Sequence, residues 1–261
     1  MPDYKYGERG SLKRRMQALA FLCLLLVCPL SAVDFGGVYG EEAAEKEGAQ
    51  SMETGGMEEE SAEKEEKSGK GDSEPHPAVA ITFDDGPSAS WTPVLLDGLK
   101  ERNVKATFFV IGKNIEEEGN REIIERMYRE GHQIGNHTYG HVNLSQMSRE
   151  QAHEELDMTD ELIRDITGEE TEFVRPPFGA FPGNMEEELD KLYVKWTVDP
   201  LDWTTENADE IVQRVVTETQ ENDIILLHDC YGSSVEAALR IIDILQDEGY
   251  EFVTVDRILM N

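Results

Sequence analysis

Residues 78–87 read Ala-Val-Ala-Ile-Thr-Phe-Asp-Asp-Gly-Pro. The run Ala78–Phe83 is too short for a helix and rich in β-branched and aromatic side chains, which predicts a buried strand. Gly86-Pro87 ends it. Two adjacent aspartates therefore stand where the strand gives out. Successive strand residues point to opposite faces, so Asp84 and Asp85 can share one site only if the strand stops being regular between them.

Outward from this stretch the same signature recurs. Short apolar runs at Ala106–Ile111, Gln133–Gly135, Phe173–Arg175, Val194–Val198, Ile224–Leu227 and Phe252–Val255 predict six further strands. Helical patterns separate many of them. Pro93–Arg102 has Thr92 as candidate N-cap and Pro93 as its first residue. Between Arg149 and Thr167, Ala152, Leu156, Thr159, Ile163 and Ile166 share one helix face, and Gly168 suits the C-terminal cap. Asn207–Gln220 and Ser234–Glu248 behave similarly. Strands alternating with helices imply an α/β fold with parallel strands and right-handed crossovers. Seven units predict a TIM-barrel-like (β/α)7 barrel, one unit short of eight; a doubly wound open sheet is the alternative.

The rest of the chain has a different composition. Lys13, Arg14 and Arg15 precede an apolar run from Ala18 to Val27, then Pro29 and the small residues Ser31 and Ala32. Residues 1–33 are expected to be a signal peptide or, if uncleaved, a signal anchor on the membrane's outer side. Residues 34–77 are expected to be a disordered acidic linker. Its stretch 41–77 holds 13 acids and 4 lysines and no aromatic or branched aliphatic residue, so it cannot offset chain entropy by burial. A single catalytic domain, residues 78–261, is left. The chain carries −31, of which −24 falls on that domain, which argues against nucleic acid and favours neutral or cationic partners. Cys23 and Cys28 lie in the signal region, so only Cys230 belongs to the domain and no internal disulfide framework is possible there. A monomer, secreted or held outside the cytoplasm, is expected.

Unusual polar residues gather at the C-terminal ends of the predicted strands, where active sites of parallel barrels and sheets assemble. They are Thr82-Phe83-Asp84-Asp85-Gly86, His137-Thr138-Tyr139-Gly140-His141, Arg175-Pro176-Pro177-Phe178, Asp199-Pro200-Leu201-Asp202-Trp203 and Leu226-Leu227-His228. Singly each is a weak signal: paired aspartates before Gly-Pro often only make a turn, and a histidine after an apolar strand is often a core residue. Five such motifs in order on five strand ends carry more weight.

The set resembles the polysaccharide deacetylases of the NodB-homology family, carbohydrate esterase family 4, over essentially all of residues 78–261. The resemblance implies a distorted (β/α)7 barrel and removal of acetyl groups from a polymer. Amide hydrolysis is hard because the amide is a poor electrophile and water a poor nucleophile. A metal ion with open coordination positions addresses both problems, and two imidazoles with one carboxylate leave such positions open. By resemblance Asp85, His137 and His141 hold that ion, zinc first, with cobalt, nickel or iron compatible. Asp84 is the implied general base, Arg175 its partner, His228 the acid, and Asp202 the group that orients and charges His228. Trp203 and Leu226 are implied to enclose the acetyl methyl, and the Phe178 N–H to bind the oxyanion. Phe178 replaces the family's usual Tyr, a change that matters little where the backbone amide is used. The expected substrate is N-acetylglucosamine in peptidoglycan, then chitin. An O-acetyl xylan esterase or a non-catalytic glycan-binding module are the alternatives.

Overall fold

β1 (Ala78–Gly86) lies at the centre of the architecture. The computed structural model describes residues 76–180 and 191–260. The expected signal segment and all of the expected linker except His76 and Pro77 lie outside those residues. No helix among the described residues is long and apolar enough to cross a membrane. After β1 come α1 (Thr92–Glu101), β2 (Thr107–Val110), α2 (Gly112–Ile115), α3 (Asn120–Arg129), β3 (Gln133–Asn136), α4 (Arg149–Thr167), β4 (Phe173–Val174) and β5 (Leu192–Tyr193). Then follow α5 (Ala208–Glu218), β6 (Ile224–His228), α6 (Gly232–Asp247), β7 (Glu251–Val253) and α7 (Val255–Leu259).

All strand pairs are parallel, in the order β5-β4-β3-β2-β1-β6, with β7 beside the start of β1. Strands adjacent in sequence are adjacent in space from β1 to β5. The order reverses at β1, yet α1 and α6, which lie on either side of the reversal in sequence, pack on the same face of β1 with Val79, Ile81 and Phe83, which excludes the doubly wound alternative. The sheet curls into a distorted (β/α) barrel. Its last gap is spanned by the segment after β5, where Val198 makes one isolated parallel bridge to Ile225. Thr197 N–H and Leu226 N–H bond Ile224 O and Val198 O at 2.9 and 3.0 Å.

That gap corrects the fifth predicted strand. Val194–Val198 was expected to form it, but Leu192–Tyr193 does. The cause is Arg175, whose Nε donates to Val194 O (3.2 Å) and whose Nη2 donates to Lys195 O (3.4 Å). A buried guanidinium thus takes carbonyls that a regular ladder would use.

Period-two alternation sorts β1 between two cores. Val79, Ile81 and Phe83 pack outward with Leu95, Leu96 and Leu99 of α1 and Ile241, Ile242 and Leu245 of α6. Ala80 packs inward with Phe109, Phe173, Val194 and Ile224. Each fully buried aliphatic or aromatic side chain contributes roughly 1.5–3 kcal/mol, so the larger outer layer dominates stability. The α4 bounds agree with the sequence reading. Ser148 and Gln151 form a capping box, and Gly168 ends the helix at φ 78°. The α1 cap differs. Trp91 occupies the N-cap position with no side-chain cap bond, and the Thr92 hydroxyl instead donates to Asp229 Oδ2 at 2.5 Å.

Candidate active site

Alternation aims Asp84 inward, where it is 3% exposed. Continued alternation would aim Asp85 into the helix layer. Instead the pairing of β1 with β2 skips Asp85, which adopts φ 71°, and the irregularity turns its side chain to the barrel mouth beside Asp84. Asn114 Nδ2 holds the Asp85 carbonyl at 2.8 Å. Thr138, His141, Phe178 and Leu201 also have positive φ, between 52° and 66°. Left-handed backbone at non-glycine residues is unfavourable and persists where the surroundings enforce it, here in the loops around one pocket.

Asp85 Oδ1 lies 3.4 Å from His137 Nε2 and 3.2 Å from His141 Nε2. One donor atom from each residue falls within 4.8 Å of the others. The arrangement fits a cation. Asp85 Oδ1 is buried with no hydrogen-bond partner. His137 Nδ1 meets the carbonyl of Arg175 at 2.5 Å; a carbonyl only accepts, so the proton sits on Nδ1 and Nε2 keeps its lone pair for a ligand. Burial by itself raises the Asp85 carboxyl; imidazoles protonated at Nε2, or a cation in place of those protons, outweigh it and hold the group well below the usual carboxylate range.

On one side of this set, Arg175 Nη1 donates to Asp84 Oδ1 (2.8 Å) and to the Thr82 hydroxyl oxygen (2.7 Å). Thr82 in turn donates to Ile225 O at 2.7 Å. Arg175 is wholly buried with its guanidinium 4.2 Å over the Phe109 ring, so Asp84 is its counter-charge inside the barrel. On the other side, His228 Nδ1 meets Asp202 Oδ1 at 2.7 Å, while the His228 amide donates to Asp202 Oδ2 at 2.9 Å. His228 Nε2 is left facing Asp85 Oδ2 at 3.9 Å. Burial pulls the imidazole pKa down, but Asp202, aided by Asp84 and Asp85, carries it up to about 9.

These groups border a cavity of about 410 Å³ that also includes Phe178, Trp203 and Leu226. All ten residues singled out in the sequence therefore lie in the pocket or directly behind it. Leu226 is buried, whereas Trp203 and Phe178 are 58% and 66% exposed at the rim. The Phe178 ring stands edge-on to His141 at 5.0 Å. Cys230 is half-buried in the turn after β6. Burial, with Asp85 and Asp229 nearby, pushes its thiol up to about 12, which suits packing and not nucleophilic attack.

Sequence reasoning missed Tyr231 and Trp196, which also line the cavity. It missed the supports of the histidine loop as well. Asn136 Oδ1 accepts from Thr138 N–H, and its Nδ2 donates to Leu156 O and Asp160 Oδ1 on α4. Glu155 Oε2 takes the Gly140 N–H at 2.7 Å. One signal for this was available: Asp160 follows Leu156 by four residues, placing an acid beside the apolar face of α4, where an unpaired carboxylate would be costly.

A (β/α) barrel with a His-His-Asp set at its mouth, flanked by a base-like carboxylate and an aspartate-backed imidazole, defines a metal-site hydrolase architecture. A family model described as polysaccharide deacetylase matches residues 71–196. The peptidoglycan-N-acetylglucosamine deacetylase PgdA of Listeria monocytogenes is 37% identical over 180 residues, covering 69% of this chain and 38% of that protein. The solved structure of peptidoglycan deacetylase PdaC from Bacillus subtilis matches at 36% identity and TM-score 0.68, covering 71% of this chain and 91% of that one. A family 4 acetyl xylan esterase from Clostridium thermocellum, solved with cobalt, matches at 34% identity and TM-score 0.66, covering 70% and 90%. The chain belongs to the polysaccharide deacetylase family. It spans little more than a third of the length of the Listeria relative.

Proposed function

We propose that this chain hydrolyses N-acetyl groups from N-acetylglucosamine residues of a cell-wall or extracellular polysaccharide, peptidoglycan first and chitin second, releasing acetate. One observation carries the reading: the orphaned Asp85 Oδ1 and two imidazole nitrogens converge between the Arg175-held Asp84 and the Asp202-backed His228. The relatives named peptidoglycan deacetylases support the choice of polymer. A divalent ion held by Asp85, His137 and His141, zinc first and otherwise cobalt, nickel or iron, would supply Lewis acidity to the acetyl carbonyl and to water.

The chain's own residues handle the protons. Asp84, fixed by Arg175, accepts a proton from the attacking water as its oxygen bonds the carbonyl carbon. The Phe178 N–H stabilises the negative oxygen that develops. Protonated His228, oriented by Asp202, gives its Nε2 proton to the nitrogen as the C–N bond breaks, leaving an amine and acetate. Leu226 and Trp203 seat the methyl group. The test is acetate release from peptidoglycan and from chitin oligomers, before and after chelation and after divalent metal is restored. Full activity in protein shown by elemental analysis to be metal-free would refute the mechanism.

A second reading, O-acetyl xylan esterase, is favoured by the likeness to the Clostridium enzyme, and acetylated xylan as a third substrate decides it. The basic flank and apolar run of residues 1–33 support an extracytoplasmic location. Fractionation of the native host checks it; an intact cytoplasmic pool as the main species would contradict it.

A further inference from the structure

Residues 111–120, which run through α2 to the first residue of α3, hold the backbone of both loops that carry the candidate metal ligands. We infer that this segment is a brace that presets the spacing of Asp85 from His137 and His141 before an ion arrives, with Asn114 as its positioning residue. The inference rests on the metal-dependent deacetylase reading. On the aspartate side, three successive carbonyls end on the segment. Asn114 Nδ2 donates to Asp85 O (2.8 Å), Ile111 N–H to Gly86 O (2.9 Å) and Asn120 Nδ2 to Pro87 O (3.2 Å).

The histidine side is held by different groups. The first amides of a helix have no partner within it. In α2 they reach the neighbouring loop instead: Gly112 N–H donates to Thr138 O at 3.1 Å and Lys113 N–H to Tyr139 O at 3.0 Å. The approach is close. A Cβ at Gly112 would stand 2.6 Å from Thr159 Oγ1 and 2.7 Å from Tyr139 Cδ2, so a glycine is what lets α2 lie this near the loop of His137 and His141. Asn120, fully buried at the start of α3, also donates to Asn114 O at 2.7 Å and so anchors α2 from behind.

These bonds act where the backbone is least favourable. Asp85 and Thr138 have φ 71° and 66°, and the brace takes the carbonyl of each. With the Asp85 carbonyl released, β1 returns toward regular alternation, which turns the carboxylate away from the two imidazoles and into the helix layer. Asn114 does not border the catalytic cavity, so it acts through Asp85 and not on the substrate. A site whose ligands already face one another binds its ion without the cost of ordering them.

The test uses metal-stripped full-length wild type, Asn114→Ala, Asn114→Asp and Ile242→Val. Zinc affinity is measured by competition with a chromophoric chelator, and acetate release is followed at saturating zinc. Asn114→Ala should raise the zinc Kd about tenfold, the order expected for one lost hydrogen bond, with kcat and KM near wild type once the site is filled. Asn114→Asp separates positioning from charge and carries the test if the alanine variant does not fold. Its carboxylate cannot donate to Asp85 O, yet it adds negative charge near the site. Coulomb attraction alone tightens zinc, whereas a lost brace weakens it, and weaker binding is expected. Ile242→Val trims the outer core and lowers Tm without touching the brace, so its zinc Kd should stay at the wild-type value. Unchanged zinc affinity in both Asn114 variants, tighter zinc in Asn114→Asp, or an equal loss in Ile242→Val overturns the brace. Wild type that binds no zinc overturns the brace and the metal mechanism together. An Asn114-dependent zinc Kd without acetate release from any polymer upholds the brace and refutes the deacetylase reading.

Discussion

Asp84 and Asp85 are neighbours in sequence with different partners in space, and substitution should separate them. Asp84 answers Arg175, whereas Asp85 faces the two imidazoles and leaves Oδ1 unpaired. Asp84→Asn should bind divalent metal nearly as wild type does and lose roughly 10²–10⁴-fold in turnover, the range for losing general-base catalysis. It should also lose stability, because the buried Arg175 keeps its charge without a counter-charge. Asp85→Asn should weaken metal binding, and excess metal should restore part of its activity. Calorimetric metal affinity and acetate release across a metal titration check the pair; equal rescue of both variants would sink the division. His228 gives a pH-dependent counterpart. As the acid it must be protonated, so activity falls as pH rises through its pKa, raised to about 9 chiefly by Asp202 against the pull of burial. Asp202→Asn removes the main raising influence, and the alkaline limb of kcat/KM should move to lower pH. An unmoved limb would exclude His228 as the titrating acid.

At the scale of elements, regular strands and their ends were legible because a buried parallel strand needs a short apolar run and a breaker, and β1, β2 and β6 have both. What the sequence could not show was long-range competition for backbone. The apolar pattern of Val194–Val198 is sound, yet Arg175, about twenty residues earlier, takes two of its carbonyls. By contrast, α3 buries Asn120, Ile123, Ile124 and Met127 against a strongly charged opposite face, an amphipathic pattern that was legible in the sequence and went unread. In the site, the polar motifs were legible as clusters at strand ends, and the roles of their residues came from the resemblance to the family. Their supports were not legible, because Asn136 and Glu155 act through partners that only the fold brings near. Asn136→Ala tests such a support. It removes buried bonds joining β3, the histidine loop and α4, and should cost about 1–3 kcal/mol by denaturant unfolding. Metal affinity should fall with it, since His137 and His141 stand on that loop. Unchanged stability and metal binding together would show that the loop holds its shape without Asn136.

For the whole molecule the governing quantity is charge. The chain carries −31, and −24 of this lies on residues 78–261. A polymer rich in carboxylates approaches such a surface against repulsion, whereas a neutral chitin oligomer does not. Salt screens charges beyond a Debye length, about 8 Å at physiological ionic strength and about 30 Å at 0.01 M. Screening removes a repulsion here, so the sign is the reverse of that for a steered enzyme: kcat/KM on peptidoglycan should rise as salt is added from low ionic strength. On neutral chito-oligomers of matched length it should stay nearly flat, because the Asp84–Arg175 and His228–Asp202 pairs are buried and little screened. The change should appear in kcat/KM and not in kcat, since it acts on encounter and not on the bound complex. Steady-state acetate release on both substrates across a salt series measures this. A peptidoglycan rate that falls with salt would mean that local cationic contacts outweigh the acidic field of the domain.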